Sequence, residues 1–97
     1  INLSSLYEKD DEEAISELQK LRGIGRWTAE MFLMFQMDRA DVFPVKDWGI
    51  MTAMIKLYSL EKAVSDAELI AIAAKWSPYR TLASRFLWRG LDTGYFV

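Results

Sequence analysis

Apolar residues recur at intervals of three and four along most of the chain, which is the spacing of an amphipathic α-helix. The first such segment runs to about Lys20 and places four apolar residues on one face: Ala14, Ile15, Leu18 and Leu21. Asp10 or Asp11 is predicted as its N-cap, and an acidic first turn suits the positive end of the helix dipole. The first nine residues lack the pattern and are predicted to form a loop.

Two further helices are predicted on either side of a connector. Residues 26–37 are apolar on nearly all sides, which is typical of a central, buried helix. The connector spans residues 38–46, where Pro44 disfavours helical backbone at the residue before it. Asp47 is predicted as the N-cap of a third helix that ends near residue 58.

Two more helices complete the predicted fold. A Ser65–Glu68 capping box opens the fourth, which runs to Trp76. Ser77-Pro78 ends that helix and begins a fifth, because proline is favoured at the first helical position. The fifth helix is predicted to reach about Trp88 and to close at Gly90. Five helices, with no strand signal and no internal repeat, predict an all-α bundle.

Composition narrows the chemistry that the chain can perform. The 97 residues are 52% hydrophobic and 27% charged, which is globular and enough for one small domain or part of one. Because the chain has no Cys and no His, it excludes disulfides, Cys/His zinc sites, Cys-ligated iron–sulfur clusters and Ser-His-Asp catalysis. Neither a membrane span nor a secretory leader is recognisable, so we expect an intracellular location: cytoplasm and nucleoid, or a nucleus.

The net charge of −2 argues against a nucleic-acid ligand, because proteins that bind DNA usually carry a basic surface. The charge is unevenly distributed, however. Six acidic residues lie between Glu8 and Glu17, and a group of basic residues follows: Lys20, Arg22, Arg26, Arg39 and Lys46. A negative total is therefore compatible with a local positive face.

Two segments are candidates for function. Residues 21–29 form a Gly-x-Gly turn between two helices, and Gly23 and Gly25 would let the backbone approach a DNA phosphate beside a helix N-terminus. An ordinary helix connection with a C-cap glycine is the alternative. Residues 41–49 deliver Asp47 to a helix start, where it is either a simple N-cap or an ionised carboxylate facing a pocket.

Three stretches, taken in order, resemble the helix-hairpin-helix superfamily of DNA glycosylases, in its 3-methyladenine glycosylase II branch. They are LRGIGRWTAEMFLMF, DVFPVKDWGI and WSPYRTLASRFLW. The resemblance implies that residues 1–97 are one part of a larger glycosylase domain, with a hairpin at about 18–30, a catalytic loop at 41–49 and C-terminal helices at 65–90. It also implies that Asp47 is the catalytic aspartate.

The resemblance extends to binding residues. It implies DNA-backbone contacts from the hairpin residues Arg22, Gly23, Gly25, Arg26 and Thr28. It places Trp27 and Trp88 at positions whose rings line the base pocket, and Met31 where some relatives have another aromatic. A sodium or potassium ion is expected at the hairpin, bound by the backbone carbonyls of Gln19, Leu21 and Ile24. No other cofactor is expected.

The implied reaction is hydrolysis of the N-glycosidic bond of alkylated purines, such as 3-methyladenine and 7-methylguanine, in double-stranded DNA. Asp47 would stabilise the oxocarbenium ion and orient a water molecule. Bifunctional relatives carry a lysine where this sequence has Trp27, so no Schiff base and no strand cleavage are expected. Lys46 is a weaker alternative nucleophile, because residues adjacent at a helix start point in different directions.

Two alternatives stay open at the level of sequence. The chain could be a non-catalytic DNA-binding module that uses only its hairpin. It could also be an inactive helical fragment, because family domains carry further helices before this region. A separate chain or self-association would then supply the missing wall of the pocket and cover exposed apolar faces.

Overall fold

The structure is a computed structural model that describes residues 2–95 of the chain. A short 3₁₀ helix, Leu3–Glu8, comes first. Five α-helices follow: α1 (Asp11–Gln19), α2 (Arg26–Phe35), α3 (Trp48–Tyr58), α4 (Asp66–Ala74) and α5 (Arg80–Asp92). No strand occurs among the residues described, so the predicted all-α fold is confirmed. No helix within residues 2–95 has the length and hydropathy needed to cross a bilayer.

The predicted helix starts are confirmed where a side chain caps them. Asp10 accepts a hydrogen bond from the Glu13 backbone N–H at 2.8 Å, and the Asp10 N–H donates back to the Glu13 carboxylate at 3.4 Å. Ser65 caps α4 by accepting from the Glu68 N–H at 3.1 Å. Each contact satisfies one of the N–H groups that a helix leaves without an internal partner.

The helices pack in two pairs, α1 with α2 and α3 with α5. The first pair encloses a cluster of buried apolar residues: Leu6, Ala14, Ile15, Leu18, Ala29, Leu33, Met34, Met37 and Val42. The second pair, with α4, encloses another: Phe43, Ile50, Ala53, Met54, Leu69, Ala73 and Leu87. Trp88 packs against both clusters, so its ring lies where the two halves of the core meet.

The prediction of a loop for the first nine residues was wrong. Residues 3–8 form the 3₁₀ helix, and its Leu6 is only 1% exposed, within the first core cluster. The Asn2 side chain caps this helix by accepting from the Ser4 N–H at 3.0 Å. A single apolar anchor in so short a segment produces no helical period, so the sequence pattern could not reveal it.

Three predicted helix ends were also displaced. The second helix ends two residues before Met37, and the fourth two residues before Trp76. Gly90 lies inside α5, which ends at Asp92 and is closed by Gly94, with a φ of +74°. There the Tyr95 N–H donates to the Gly90 carbonyl at 2.8 Å and the Gly94 N–H to Leu91 at 3.2 Å, a Schellman arrangement.

The start of α5 differs from the prediction because another segment caps it. The helix begins at Arg80 rather than Pro78, and its N-cap residue Tyr79 makes no side-chain cap. The Arg80 N–H donates to the Asp41 carboxylate at 3.2 Å, and the Thr81 N–H donates to the Ala40 carbonyl at 3.0 Å. Residues of the connector between α2 and α3 thus satisfy the free N–H groups of α5.

Asp41 also attaches the connector to α5 through its side chain. Its carboxylate accepts from the Arg80 Nε at 2.7 Å and from the Ser77 hydroxyl at 2.5 Å. The Arg80 guanidinium is the main reason that the pKa of Asp41 falls from 3.8 to about 2. A pKa that is lower in the folded state stabilises the fold above the unfolded value, and this stabilisation is lost as pH falls through about 2.

We therefore expect Asp41→Asn to destabilise the chain most at neutral pH. The difference in unfolding free energy between the wild-type and Asp41→Asn proteins should be constant above about pH 5 and should shrink between pH 4 and 2. Urea denaturation at a series of pH values measures it. A difference that is the same at pH 6 and pH 2 would contradict this role of the Asp41 charge.

Candidate active site

The candidate site is built around the carboxylate of Asp47, the N-cap of α3. Its Oδ2 accepts from the Ile50 backbone N–H at 2.9 Å, which is the capping bond predicted from sequence. The same oxygen accepts from the Trp88 indole N–H at 2.7 Å, and Oδ1 accepts from the Trp27 indole N–H at 2.8 Å. Asp47 is therefore more than a cap, because two side chains from other helices also bind it.

Trp27 and Trp88 reach Asp47 from different parts of the fold. Trp27 lies in the first turn of α2, two residues after Gly25 of the hairpin, and is 46% exposed. Trp88 lies in α5 and stacks on Phe35, with ring centroids 5.9 Å apart. The Arg85 guanidinium lies 5.1 Å from the centroid of the Phe35 ring. The carboxylate thus joins the exposed start of α2 to Trp88 of α5, whose ring stacks on Phe35 at the other end of α2.

Gly49 is required by the close approach of Trp88. A Cβ at this position would lie 3.1 Å from the Asp47 Oδ2 and 3.1 Å from the Trp88 Cδ1. These distances are shorter than ordinary van der Waals contact, so a methyl group would force the indole or the carboxylate to move. The missing side chain leaves the space in which the Trp88 N–H meets the Asp47 carboxylate.

The hairpin residues present backbone rather than side chains. Gly23 has a φ of +86°, a conformation that strongly favours glycine, and Gly25 is the N-cap of α2 without a side-chain hydrogen bond. A Cβ on either glycine would meet no protein atom within 4 Å. The Ala29 N–H makes the first bond inside α2, to the Gly25 carbonyl at 3.0 Å. The N–H groups before it are available to an anion.

The two arginines of the hairpin differ. Arg26 donates to Glu12 at 2.6 Å and to the buried Glu30 at 3.3 Å, so its guanidinium is held by two carboxylates. The Arg26 hydrogen bond lowers the pKa of Glu12, whereas burial raises the pKa of Glu30. Within residues 2–95 Arg22 forms no ion pair and is exposed. Of the two arginines predicted to contact DNA, only Arg22 has a guanidinium that no carboxylate among residues 2–95 binds.

Comparison with known proteins identifies the family. DNA-3-methyladenine glycosylase 1 of Schizosaccharomyces pombe is 37% identical over 79 residues, which cover 81% of this chain and 35% of that protein. The crystal structure of a DNA-3-methyladenine glycosidase from Bacillus halodurans superimposes with a TM-score of 0.83 at 34% identity, covering 93% of this chain and 42% of that one. The chain belongs to the DNA-3-methyladenine glycosylase family.

A structure of the Schizosaccharomyces pombe 3-methyladenine DNA glycosylase Mag1 in complex with abasic DNA is also similar. Its TM-score is 0.81 at 32% identity, over 94% of this chain and 48% of that one. No protein-family model matches the chain. The chain spans about a third of the length of the curated glycosylases it matches, 32% and 35% for the first two. The family resemblance drawn from the three sequence stretches is confirmed.

Met31 and Lys46, which were also singled out from the sequence, contact other parts of the fold. Met31 is partly buried against the first core cluster. The Lys46 ammonium pairs with Asp66 at 2.5 Å, so it is directed to the start of α4. The ion predicted at the carbonyls of Gln19, Leu21 and Ile24 stays a prediction. The donor set suits it, because carbonyl oxygens are hard ligands at the end of α1, although the Leu21 carbonyl also accepts from the Ile24 N–H at 3.2 Å.

Sequence reasoning missed two residues beside Asp47. Gly49 had no signal, because its role depends on the position of Trp88, which is far away in sequence. Trp48 is 70% exposed at the first turn of α3, next to the catalytic candidate. A large aromatic side chain left in solvent beside a functional loop is a signal that sequence analysis could have used, once the loop had been recognised.

We expect Gly49→Ala to disturb the hydrogen bond between Trp88 and Asp47. Overpacking costs about 1–3 kcal/mol and alanine regains up to about 1 kcal/mol of helix preference, so a net loss of about 1 kcal/mol follows. Urea denaturation measures the loss, and the NMR resonance of the Trp88 indole N–H measures the displacement.

Combining Gly49→Ala with Trp88→Phe is the matched control, because the smaller ring relieves the contact. The two substitutions should then be less than additive in their effect on unfolding free energy. An unchanged Trp88 resonance in the single Gly49→Ala variant would show that the close contact is tolerated without movement.

Proposed function

We propose that this chain supplies the catalytic aspartate and the DNA-backbone hairpin of a glycosylase that hydrolyses the N-glycosidic bond of alkylated purines in double-stranded DNA. The observation that carries the proposal is the pairing of Asp47 with Trp27. Trp27 is in the first turn of α2, two residues after Gly25 of the hairpin, and its indole binds the Asp47 carboxylate. The proposed catalytic group and the proposed DNA-binding turn therefore lie at one end of one helix.

Asp47 has the properties that the reaction requires. Departure of the base leaves positive charge on the deoxyribose, and a fixed negative charge nearby stabilises that charge in the transition state. Three N–H donors hold the two carboxylate oxygens before substrate arrives. No reorganisation of the carboxylate is then needed during the reaction, which is the source of the catalytic advantage. The same oxygens can orient the attacking water molecule.

The indole groups support selectivity for a cationic base. Each of Trp27 and Trp88 uses its ring edge, at Nε1, to bind Asp47. This contact leaves the faces of the exposed Trp27 ring available, and the face of an indole attracts a cation by about 0.5–2 kcal/mol. Alkylation at a ring nitrogen makes a purine cationic. Such a base is both better bound and a better leaving group, so no general acid is required.

The hairpin supports binding to the DNA backbone without reading sequence. The free N–H groups at the start of α2 and the exposed Arg22 fit a phosphate, and glycines at 23 and 25 permit a close approach. A monovalent cation on the carbonyls of Gln19, Leu21 and Ile24 would add positive charge there. Contacts of this kind need few basic side chains, which reconciles DNA binding with a net charge of −2.

Asp47→Asn tests the proposed catalysis. In the full-length protein we expect base release from alkylated DNA to fall at least ~10²-fold, the usual cost of removing one preorganised electrostatic group. Binding to DNA should survive, because asparagine caps a helix as well as aspartate does. Single-turnover release of methylated purine, together with fluorescence anisotropy of labelled DNA, measures both.

Asp10→Asn is the matched control, since Asp10 also caps a helix but lies at the start of α1. The same chemical change there should leave base release within about 2-fold of wild type. Equal loss in the two variants would mean that helix capping, and not the charge at the site, had been removed. Full activity of Asp47→Asn would overturn the mechanism.

Gly25→Ala tests the proposed DNA contact. The fold does not require glycine here, because φ is −90° and an added Cβ meets no protein atom within 4 Å. A methyl group would, however, stand between the backbone and a phosphate. We expect about 10-fold weaker DNA binding, roughly one lost charge-assisted hydrogen bond of 1.5 kcal/mol, at unchanged melting temperature. DNA affinity equal to wild type would place the phosphate elsewhere.

A further inference from the structure

The connector between α2 and α3, which leads to Asp47, is attached to α5 at two places: an upper level at residues 39–42 and a lower level at Asp47. At its start, residues 39–42 bind the first turn of α5, and at its end Asp47 binds Trp88. Thr81 and Trp88 are seven residues apart, which is about two helical turns or 10 Å along the axis. One rigid helix, α5, therefore fixes the positions of both ends of the connector.

Thr81 makes the central contact at the upper level. Its hydroxyl donates to the Arg39 carbonyl at 2.7 Å and accepts from the Val42 N–H at 2.9 Å. Thr81 is 7% exposed and Val42 is 4% exposed, so removal of the hydroxyl would leave the buried Val42 N–H without its partner. One buried side chain thereby satisfies two backbone groups on either side of Asp41.

The Asp41–Arg80 pair also attaches the start of the connector to α5. Arg80 donates through Nε to the Asp41 carboxylate at 2.7 Å and through Nη2 to the Asp41 carbonyl at 3.1 Å. The guanidinium thus binds both the side chain and the backbone of one connector residue. With Thr81, it fixes the connector backbone from Arg39 to Val42 on α5.

Between the two levels the connector has little freedom to adjust. Val42, Phe43 and Pro44 are buried. Two tight turns then shorten the path, with the Val45 N–H donating to the Phe43 carbonyl at 3.0 Å and the Asp47 N–H to the Pro44 carbonyl at 2.9 Å. A shift of residues 39–42 would be passed to the Asp47 carboxylate, because the three buried residues are tightly packed and the two turns hold the backbone from residue 43 to residue 47.

We propose that Thr81 is a positioning residue for Asp47: by bridging Arg39 and Val42, its hydroxyl sets where the connector lies on α5 and hence where the carboxylate meets the indole N–H groups. The consequence for catalysis rests on the function proposed above for Asp47. The placement itself does not, since it can be observed in the hydrogen bonds of Trp27 and Trp88 without any substrate.

The test compares Thr81→Val, which keeps the shape but removes the hydroxyl, with Thr81→Ser, which keeps the hydroxyl. The indole N–H resonances of Trp27 and Trp88 are assigned by Trp→Phe substitution, and their positions without the carboxylate are taken from Asp47→Asn. We expect both resonances in Thr81→Val to move towards the Asp47→Asn positions and to exchange faster with solvent. In Thr81→Ser they should stay at the wild-type positions.

A purely structural role for Thr81 gives a different result. Thr81→Val would then melt at a lower temperature while its indole resonances remained at wild-type positions, and that outcome would overturn the proposal. If Thr81→Val does not fold, Arg80→Lys serves instead, because Arg80 is partly exposed and lysine keeps the charge but loses the paired donors. Unmoved resonances in a folded Arg80→Lys protein would equally overturn it.

Base release by the full-length protein supplies the catalytic arm. We expect the single-turnover rate at saturating enzyme to fall about 10-fold or more in Thr81→Val and to recover in Thr81→Ser, since small misplacements of a catalytic group cost up to ~10²-fold. This rate does not depend on the fraction of folded enzyme. If wild type released no base, the proposed function would fail, and the indole resonances would still decide the placement of Asp47.

Discussion

Three parts of this small fold meet at the two oxygens of one carboxylate. Asp47 accepts hydrogen bonds from the backbone of its own helix α3, from Trp27 at the start of α2 and from Trp88 on α5. The two helix pairs have separate apolar clusters, and Trp88 packs on both of them. The hydrogen bonds of Asp47 and the apolar packing of Trp88 therefore both fix how the α1–α2 pair is placed against the α3–α5 pair. The geometry that stabilises the fold is also the geometry that fixes the Asp47 carboxylate between three N–H donors.

The charges of the chain are arranged consistently with such a site. Several arginines are used within the protein: Arg26 holds Glu12 and Glu30, Arg39 holds Asp11, and Arg80 holds Asp41. These pairs join α1 to α2 and the connector to α5, so the acidic first helix is largely neutralised by internal partners. The start of α2 is left with backbone donors and few side-chain charges. In the proposed function, these backbone amides would bind DNA phosphates without reading the base sequence.

The sequence was most informative where a local rule applied. The all-α fold and the caps Asp47 and Ser65 were predicted correctly, and Asp10 is one of the two residues proposed for the first cap, because a cap acts within three residues of itself. The start of α5 was misplaced because its caps come from Asp41 and Ala40, almost forty residues earlier. The spacing of sequence motifs carries no information about such a distant partner.

In the candidate site too, local features were predictable from the sequence and contacts between distant residues were not. Asp47, Trp27 and Trp88 were selected through family resemblance, whereas residue type and spacing alone left Asp47 as either a simple cap or a carboxylate facing a pocket. Their mutual hydrogen bonds could not be read from a period of three or four. Gly49 and Thr81 were invisible for the same reason, since each matters only through a residue on another helix. Long-range contacts, and not local preference, make this site.

The missing side-chain cap on α2 has a thermodynamic consequence. Gly25 leaves the first turn of that helix without the stabilisation, typically about 1 kcal/mol, that serine or aspartate would contribute. A bound phosphate would supply those acceptors instead, so docking on DNA would order the turn that contains Trp27. Because the Trp27 indole also holds the Asp47 carboxylate, ordering this turn would steady the charge as well. In the proposed function, an uncapped helix end of this kind would link phosphate binding at the start of α2 to the placement of the Asp47 carboxylate.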